Sequence, residues 1–158
     1  MALHEDYMHL AIDEARKNFL ECEGGPFGAC IVRGSEVLGV ARNTVLKTND
    51  PTAHAEVNCI RLVSGKLGAF DLSGCVIYST AEPCPMCFSA IHWARIDAVF
   101  YGASIADAAS AGFNELSLSN QDIKRIGKSS VGITAGVLEK ECVTLFSEWN
   151  ALSDKQTY

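Results

Sequence analysis

The chain has little proline, four residues in 158, and charged side chains make up only 20% of it. No repeat or low-complexity tract is present, so an ordered protein is expected instead of a disordered one. Long apolar runs are also missing. The longest stretch free of Asp, Glu, Lys and Arg covers residues 83–94, too short for a membrane span. The amino terminus lacks the basic patch and apolar run of a secretory leader, so a cytoplasmic protein is expected. Basic residues are outnumbered 13 to 19, for a formal charge of −6, and such a field repels a phosphate backbone. Nucleic acid is therefore disfavoured as a partner.

With 158 residues, 48% of them apolar, the chain suits a single domain over residues 1–158 that needs neither metal nor disulfide merely to hold together. Seven cysteines is an odd count, and only Cys84 and Cys87 lie close in sequence. The other five, Cys22, Cys30, Cys59, Cys75 and Cys142, sit in apolar segments and are expected to be buried as small hydrophobes.

Apolar residues at helical spacing predict a first helix over residues 6–20, ending before Gly24-Gly25-Pro26. Residues 27–32 and 37–41 read as a hairpin across Arg33-Gly34-Ser35-Glu36, and a second helix is expected from about Thr52, after Pro51. Strands at 75–79 and 97–101 enclose a third helix that follows Pro83-Cys84-Pro85. Residues 104–111 read as helical and 131–134 as a short strand, while 112–130 give no clear signal. Leu138, Cys142, Leu145, Phe146, Trp149 and Leu152 form one face of a last helix. Strands alternating with helices predict a three-layer α/β/α sandwich around a central mixed five-stranded sheet.

Two stretches carry the chemistry: Thr52-Ala53-His54-Ala55-Glu56 and Glu82-Pro83-Cys84-Pro85-Met86-Cys87. Each falls at an expected helix start. Cysteines three apart on a helix share one face, close enough to grip one ion, and His54 supplies a third ligand. Three protein ligands leave the fourth corner of a tetrahedral zinc site open for water, whose pKa such an ion lowers to about 7. Residues two apart on a regular helix point to nearly opposite sides, so Glu56 is expected to face the substrate as the proton carrier.

The pattern H-x-E…P-C-x-x-C resembles that of the zinc-dependent cytidine deaminase superfamily. Together with Gly24-Gly25-Pro26-Phe27-Gly28-Ala29 and Asn49-Asp50-Pro51, it resembles the branch shared by bacterial guanine deaminases and tRNA adenosine deaminases. Residues 107–115, the terminal Tyr158 and the acid-rich tail resemble the guanine deaminases more. What the resemblance implies is a cytidine deaminase-like fold, a Zn2+ cofactor held by His54, Cys84 and Cys87, and hydrolysis of guanine to xanthine and ammonia. It further implies Glu56 and Glu115 as catalytic groups, and Asn43, Phe27, Ala55, Trp93 and Tyr158 around a small purine. Last, it implies a homodimer that exchanges carboxy-terminal segments, residues 137–158, so that Tyr158 enters the neighbour's pocket. Where the guanine deaminases commonly read Gly-Phe-Asp-Asp, this chain reads Gly112-Phe113-Asn114-Glu115, keeping the acid one methylene longer.

Other readings compete with these. A Cys-x-x-Cys pair at a helix start also serves thiol redox folds, but these place a proline opposite the dithiol, and none follows Pro85. A closed structural zinc site needs a fourth ligand that neither Cys59 nor Cys75 offers at usual spacing. A tRNA adenosine deaminase or a guanosine or other aminopurine deaminase would use the same metal, and a noncatalytic partner subunit would not need Glu56. Lys124, Arg125 and Lys128, the densest basic cluster, read as a solvated face.

Overall fold

The structure, a computed structural model, describes residues 2–158. Helix α1 (Ala2–Arg16) buries Tyr7, Met8, Ala11, Ile12 and Ala15 along one stripe. A break at Lys17 leads into the short α2 (Asn18–Glu21), which ends where Cys22 takes a left-handed conformation, φ 52°. Cys22 is exposed, contrary to the expectation that it is buried, because the break turns it outward at the helix end. Cys30, Cys59, Cys75 and Cys142 are buried.

Strands β1 (Gly28–Arg33) and β2 (Glu36–Arg42) form the expected hairpin, turning at Gly34 with φ +59°. After α3 (Val45–Thr48), helix α4 (Ala55–Leu67) starts three residues later than the sequence suggests. The delay is local: the Asp50 carboxylate accepts from the backbone N–H and hydroxyl of Thr52, and Ala53 N donates to the Asp50 carbonyl, so residues 50–53 are held as a turn. Strand β3 (Cys75–Ala81) is almost wholly buried, as its apolar run demands for a strand covered on both faces. Then come α5 (Pro85–Trp93), β4 (Ala98–Ala103), α6 (Ile105–Ser110), α7 (Asn120–Gly127), β5 (Gly132–Thr134) and α8 (Glu139–Asn150). Helix α7 lies in the segment that gave no clear signal. Ser119 caps it, accepting from Asp122 N, and only two of its residues, Ile123 and Ile126, are large and apolar.

The five strands run in the order β2-β1-β3-β4-β5, with β1 antiparallel to both neighbours and β3, β4 and β5 mutually parallel. Two cores flank this mixed sheet. One joins α1 and α8 to the sheet through Met8, Ile12, Tyr78, Phe146 and Trp149; the other joins α4 and α5 through Cys59, Val63, Ile77, Phe88 and Ile91. The expected three-layer α/β/α sandwich is the fold observed.

Candidate active site

Two helix starts meet at the site. His54 is the N-cap of α4, extended at φ −68°, ψ 157°, and Cys84 is the N-cap of α5, extended at φ −61°, ψ 166°. Pro85 opens α5, where a missing N–H costs nothing, and places Cys87 in the first turn with its sulfur beside that of Cys84. Because both helices present their amino termini, unpaired N–H groups surround the site with partial positive charge, which favours thiolates.

The donor atoms fit a zinc ion. His54 Nδ1 lies 3.6 Å from Cys84 Sγ and 3.5 Å from Cys87 Sγ, and the three ligand atoms all fall within 4.8 Å of one another. Tetrahedral zinc with its usual Zn–S and Zn–N bond lengths sets sulfur and nitrogen about 3.6 Å apart, so these side chains already stand at ligand spacing. Among the described residues no fourth His, Cys, Asp or Glu joins the group, which leaves one corner open. The thiols are poised unequally. Hydrogen bonding with Cys87 brings Cys84 down to about 4 against the opposing effect of burial, with His54 assisting. That same bond, burial and the charge of Glu56 push Cys87 well up. A cation between them would release the second proton.

Glu56 is in the first turn of α4 and only 6% exposed. Its Oε1 accepts a 3.0 Å hydrogen bond from Ser79 Oγ on β3, and its Oε2 lies 3.4 Å from Cys87 Sγ. Burial raises its pKa, with His54 opposing. Since His54 precedes the helix, the two side chains reach one cavity despite their spacing.

That cavity has a volume of about 400 Å³. His54, Glu56 and Cys84 form its floor; Phe27, Asn43, Glu115 and Tyr158 form much of the wall. Phe27 meets Phe113 edge-on at 4.8 Å, and Phe113 in turn meets Tyr158 at 5.9 Å, an aromatic wall rooted in the α1/α8 core. Glu115 is half-buried there, its pKa raised by burial and then by the nearby Cys84 and Glu56 charges. Asn43 is buried, and its Oδ1 accepts from Val45 N at 3.1 Å. Gly24 has to be glycine: a Cβ there would lie 2.2 Å from Asn43 Oδ1. Tyr158 closes the rim, its hydroxyl accepting from Gly25 N at 3.0 Å and its carbonyl from Asn114 N at 3.3 Å.

Two expectations are corrected. Trp93 does not reach this cavity; it is 77% exposed and borders a separate groove with Phe70 and Arg95. Six residues beyond Cys87 on the same helix, it is carried about 9 Å along the axis away from the metal ligands. Ala55 is fully buried in the α4/α5 core, so its side chain does not line the cavity. In the single chain described, Tyr158 lies at the rim of that chain's own cavity, against Phe113 and Gly25, with α8 packed on β4.

Residues with no role in the sequence reading also build the site. Ser79 orients Glu56. Asn18, fully buried, donates to the carbonyls of Gly25 and Asn43 at 2.9 and 2.8 Å and so ties together the loop that meets Tyr158 and the loop that carries Asn43. Its only sequence signal is an amide at a helical-stripe position three beyond Ala15.

Known proteins agree with the geometry. The family described as cytidine and deoxycytidylate deaminase zinc-binding region matches residues 1–103. Guanine deaminase from Bacillus subtilis is 39% identical over 98% of this chain and 99% of its own length. The tRNA-specific adenosine deaminase of the same organism is 33% identical over 93% of this chain and 88% of its own. The solved guanine deaminase from Nitrosomonas europaea superposes with a TM-score of 0.85 at 27% identity, covering 94% of this chain and 85% of that one. The match spans the strands, both ligand-bearing helices and the buried glutamate, and the chain belongs to the cytidine and deoxycytidylate deaminase zinc-binding family.

Proposed function

We propose that this enzyme is a hydrolytic deaminase that converts guanine and water to xanthine and ammonia. One observation carries the reading: two carboxylates whose pKa burial raises, Glu56 and Glu115, share a cavity with a His/Cys/Cys triad and with Asn43 and Phe27. Support also comes from the near full-length likeness to a guanine deaminase.

His54, Cys84 and Cys87 would hold a zinc ion, which when bound would acidify a water enough for it to act at neutral pH. Glu56, fixed by Ser79 and facing the open corner, takes the proton of the attacking water at C2 of the purine and passes it to the adjacent ring nitrogen. Glu115 relays the remaining proton of the added hydroxyl to the amino group, the C2–N bond breaks, and the group leaves as ammonia. Asn43 hydrogen-bonds the base edge while Phe27 covers a ring face, and Tyr158 keeps bulk water from the rim. The tail closes over a small ring system and the surface is acidic overall; Arg125 is paired with Asp122 and Lys124 with the Val131 carbonyl, which leaves little for a tRNA backbone. We assign the enzyme to purine metabolism in the cytoplasm, in keeping with seven unpaired cysteines, and to a homodimer with Trp93 and Phe70, 77% and 72% exposed, in the contact between copies.

Ammonia release by the zinc-loaded protein is measured with guanine, guanosine, adenine and a tRNA anticodon stem side by side. Guanine is expected to give the signal. A signal from the anticodon stem alone overturns the proposal.

A further inference from the structure

Glu82 stands outside the expected catalytic set, although it precedes Cys84 by only two residues. Its backbone N–H donates to the Ala103 carbonyl at 2.7 Å, which fixes the carboxylate at the ends of β3 and β4. Each carboxylate oxygen then accepts a different backbone N–H. Oε2 takes that of Ile105, the first residue of α6, at 3.3 Å; Oε1 takes that of Asn120, the first residue of α7, at 2.8 Å. Asn120 is fully buried and returns a second bond, Nδ2 to the Pro83 carbonyl at 2.5 Å.

Helices α6 and α7 flank residues 111–119, the segment that carries Glu115, in which Leu116 and Leu118 are exposed. Between Phe113, buried in the core, and Asn120, the backbone of residues 114–118 is tied outside its own segment by one hydrogen bond, Asn114 N to the Tyr158 carbonyl. We infer that Glu82 is a positioning residue: one carboxylate in the metal-ligand segment clamps both helix starts around the Glu115 loop, and so fixes Glu115 relative to Cys84 and Cys87. Charge-assisted bonds from N–H groups at helix starts are among the stronger ones, and a glutamine cannot make both, because its amide offers one acceptor and turns a donor toward the other N–H. The inference rests on the proposed guanine hydrolysis for its kinetic readout.

The experiment compares wild type, Glu82→Gln, Glu115→Gln and the double variant, with zinc content and amide hydrogen exchange measured on each. The kcat for guanine in Glu82→Gln is expected to fall about ten- to a hundredfold, the effect of misplacing a reacting group by about 1 Å, at one zinc per chain. Exchange at Ile105, Asn120 and residues 111–119 quickens. In the Glu115→Gln background the Glu82 change costs less than about twofold more, since a residue acting through Glu115 has nothing left to position. A merely structural role multiplies through in full, and that result overturns the inference, as does turnover of Glu82→Gln within about twofold of wild type. Wild-type protein inert toward guanine sinks the proposed function instead, and exchange still decides the clamp. Within wild type, the amides of Ile105 and Asn120 exchange more slowly than those of Leu116 and Ser117; equal rates refute it without any variant.

Discussion

Replacing Glu56 by glutamine separates proton transfer from everything else that residue does. The side chain is buried with two contacts, Ser79 Oγ donating to Oε1 and Cys87 Sγ beside Oε2. A glutamine of equal size keeps both: its carbonyl oxygen accepts from Ser79 and its amide turns toward Cys87, which as a zinc ligand is a thiolate acceptor. The exchange therefore leaves no cavity and no orphaned donor. Replacing a carboxylate whose pKa burial already raises by a neutral amide also removes a desolvation cost, so the variant melts no lower than wild type at neutral pH. What disappears is the base. A positioned proton carrier contributes about 10²- to 10⁴-fold, so kcat with guanine falls by that factor, about 2.7–5.4 kcal/mol of barrier. Guanine loss followed by ultraviolet absorbance, together with zinc content by elemental analysis and melting by circular dichroism, reads all three quantities. Turnover within about threefold of wild type, at one zinc per chain, refutes the role of Glu56; loss of zinc alongside loss of turnover refutes the claim that it acts without helping to hold the metal.

Removing zinc with a chelator abolishes ammonia release and lowers the melting temperature, and added Zn2+ restores both, because an ion that binds only the folded chain stabilises it by mass action; unchanged turnover in demonstrably zinc-free protein contradicts the metal reading. Glu115 has a raised pKa in the folded chain, so its protonated form adds stability that is complete below the ordinary carboxylate value and is lost as pH climbs through the raised one. Glu115→Gln, which cannot ionise, therefore melts with wild type at acid pH and above it at pH 7–8, about 2–4 °C for each kcal/mol relieved, while its turnover drops; coincident melting curves at both pH values refute this. Deleting Tyr158 removes the hydroxyl acceptor of Gly25 N and the carbonyl acceptor of Asn114 N, so KM for guanine rises more than kcat falls; unchanged kinetics place the residue outside the site.

The metal ligands and Glu56 were legible in the sequence because their chemistry is local: thiols three apart and a His-x-Glu each lie within one helix start, and spacing alone implies proximity. Helix α8 was legible because its apolar face is regular over its three turns. Ser79, Asn18 and Glu82 were not. Each works through a partner 23 or more residues away or through a backbone N–H, and no local pattern marks a serine in a buried strand as the one that meets a carboxylate. Trp93 followed from the family resemblance alone, and in this chain the helix carries it steadily away from the ligands at its own start.

Strand direction explains why these distant residues converge. The parallel strands β3 and β4 both end at Ala81 and Ala103, beside the cavity, and ligands in open α/β sheets bind beyond such carboxyl ends. Since β1 runs antiparallel to β3, its start is brought to that same edge, and the hairpin returns β2 to end there too, with Gly28 paired to Arg42. Phe27 and Asn43 are the next residues outward, joined by the hydrogen bond from Asn43 N to the Phe27 carbonyl at 3.1 Å. The sheet thus delivers two separate sets of groups to one rim. The parallel half leads into Glu82, Cys84 and Cys87, the candidate metal ligands and their support; the antiparallel half supplies Phe27 and Asn43 to the cavity wall. Substrate preference can shift through the hairpin and the Glu115 loop without disturbing the ligands, and that division lets one zinc chemistry serve both a guanine deaminase and a tRNA adenosine deaminase among the relatives of this chain.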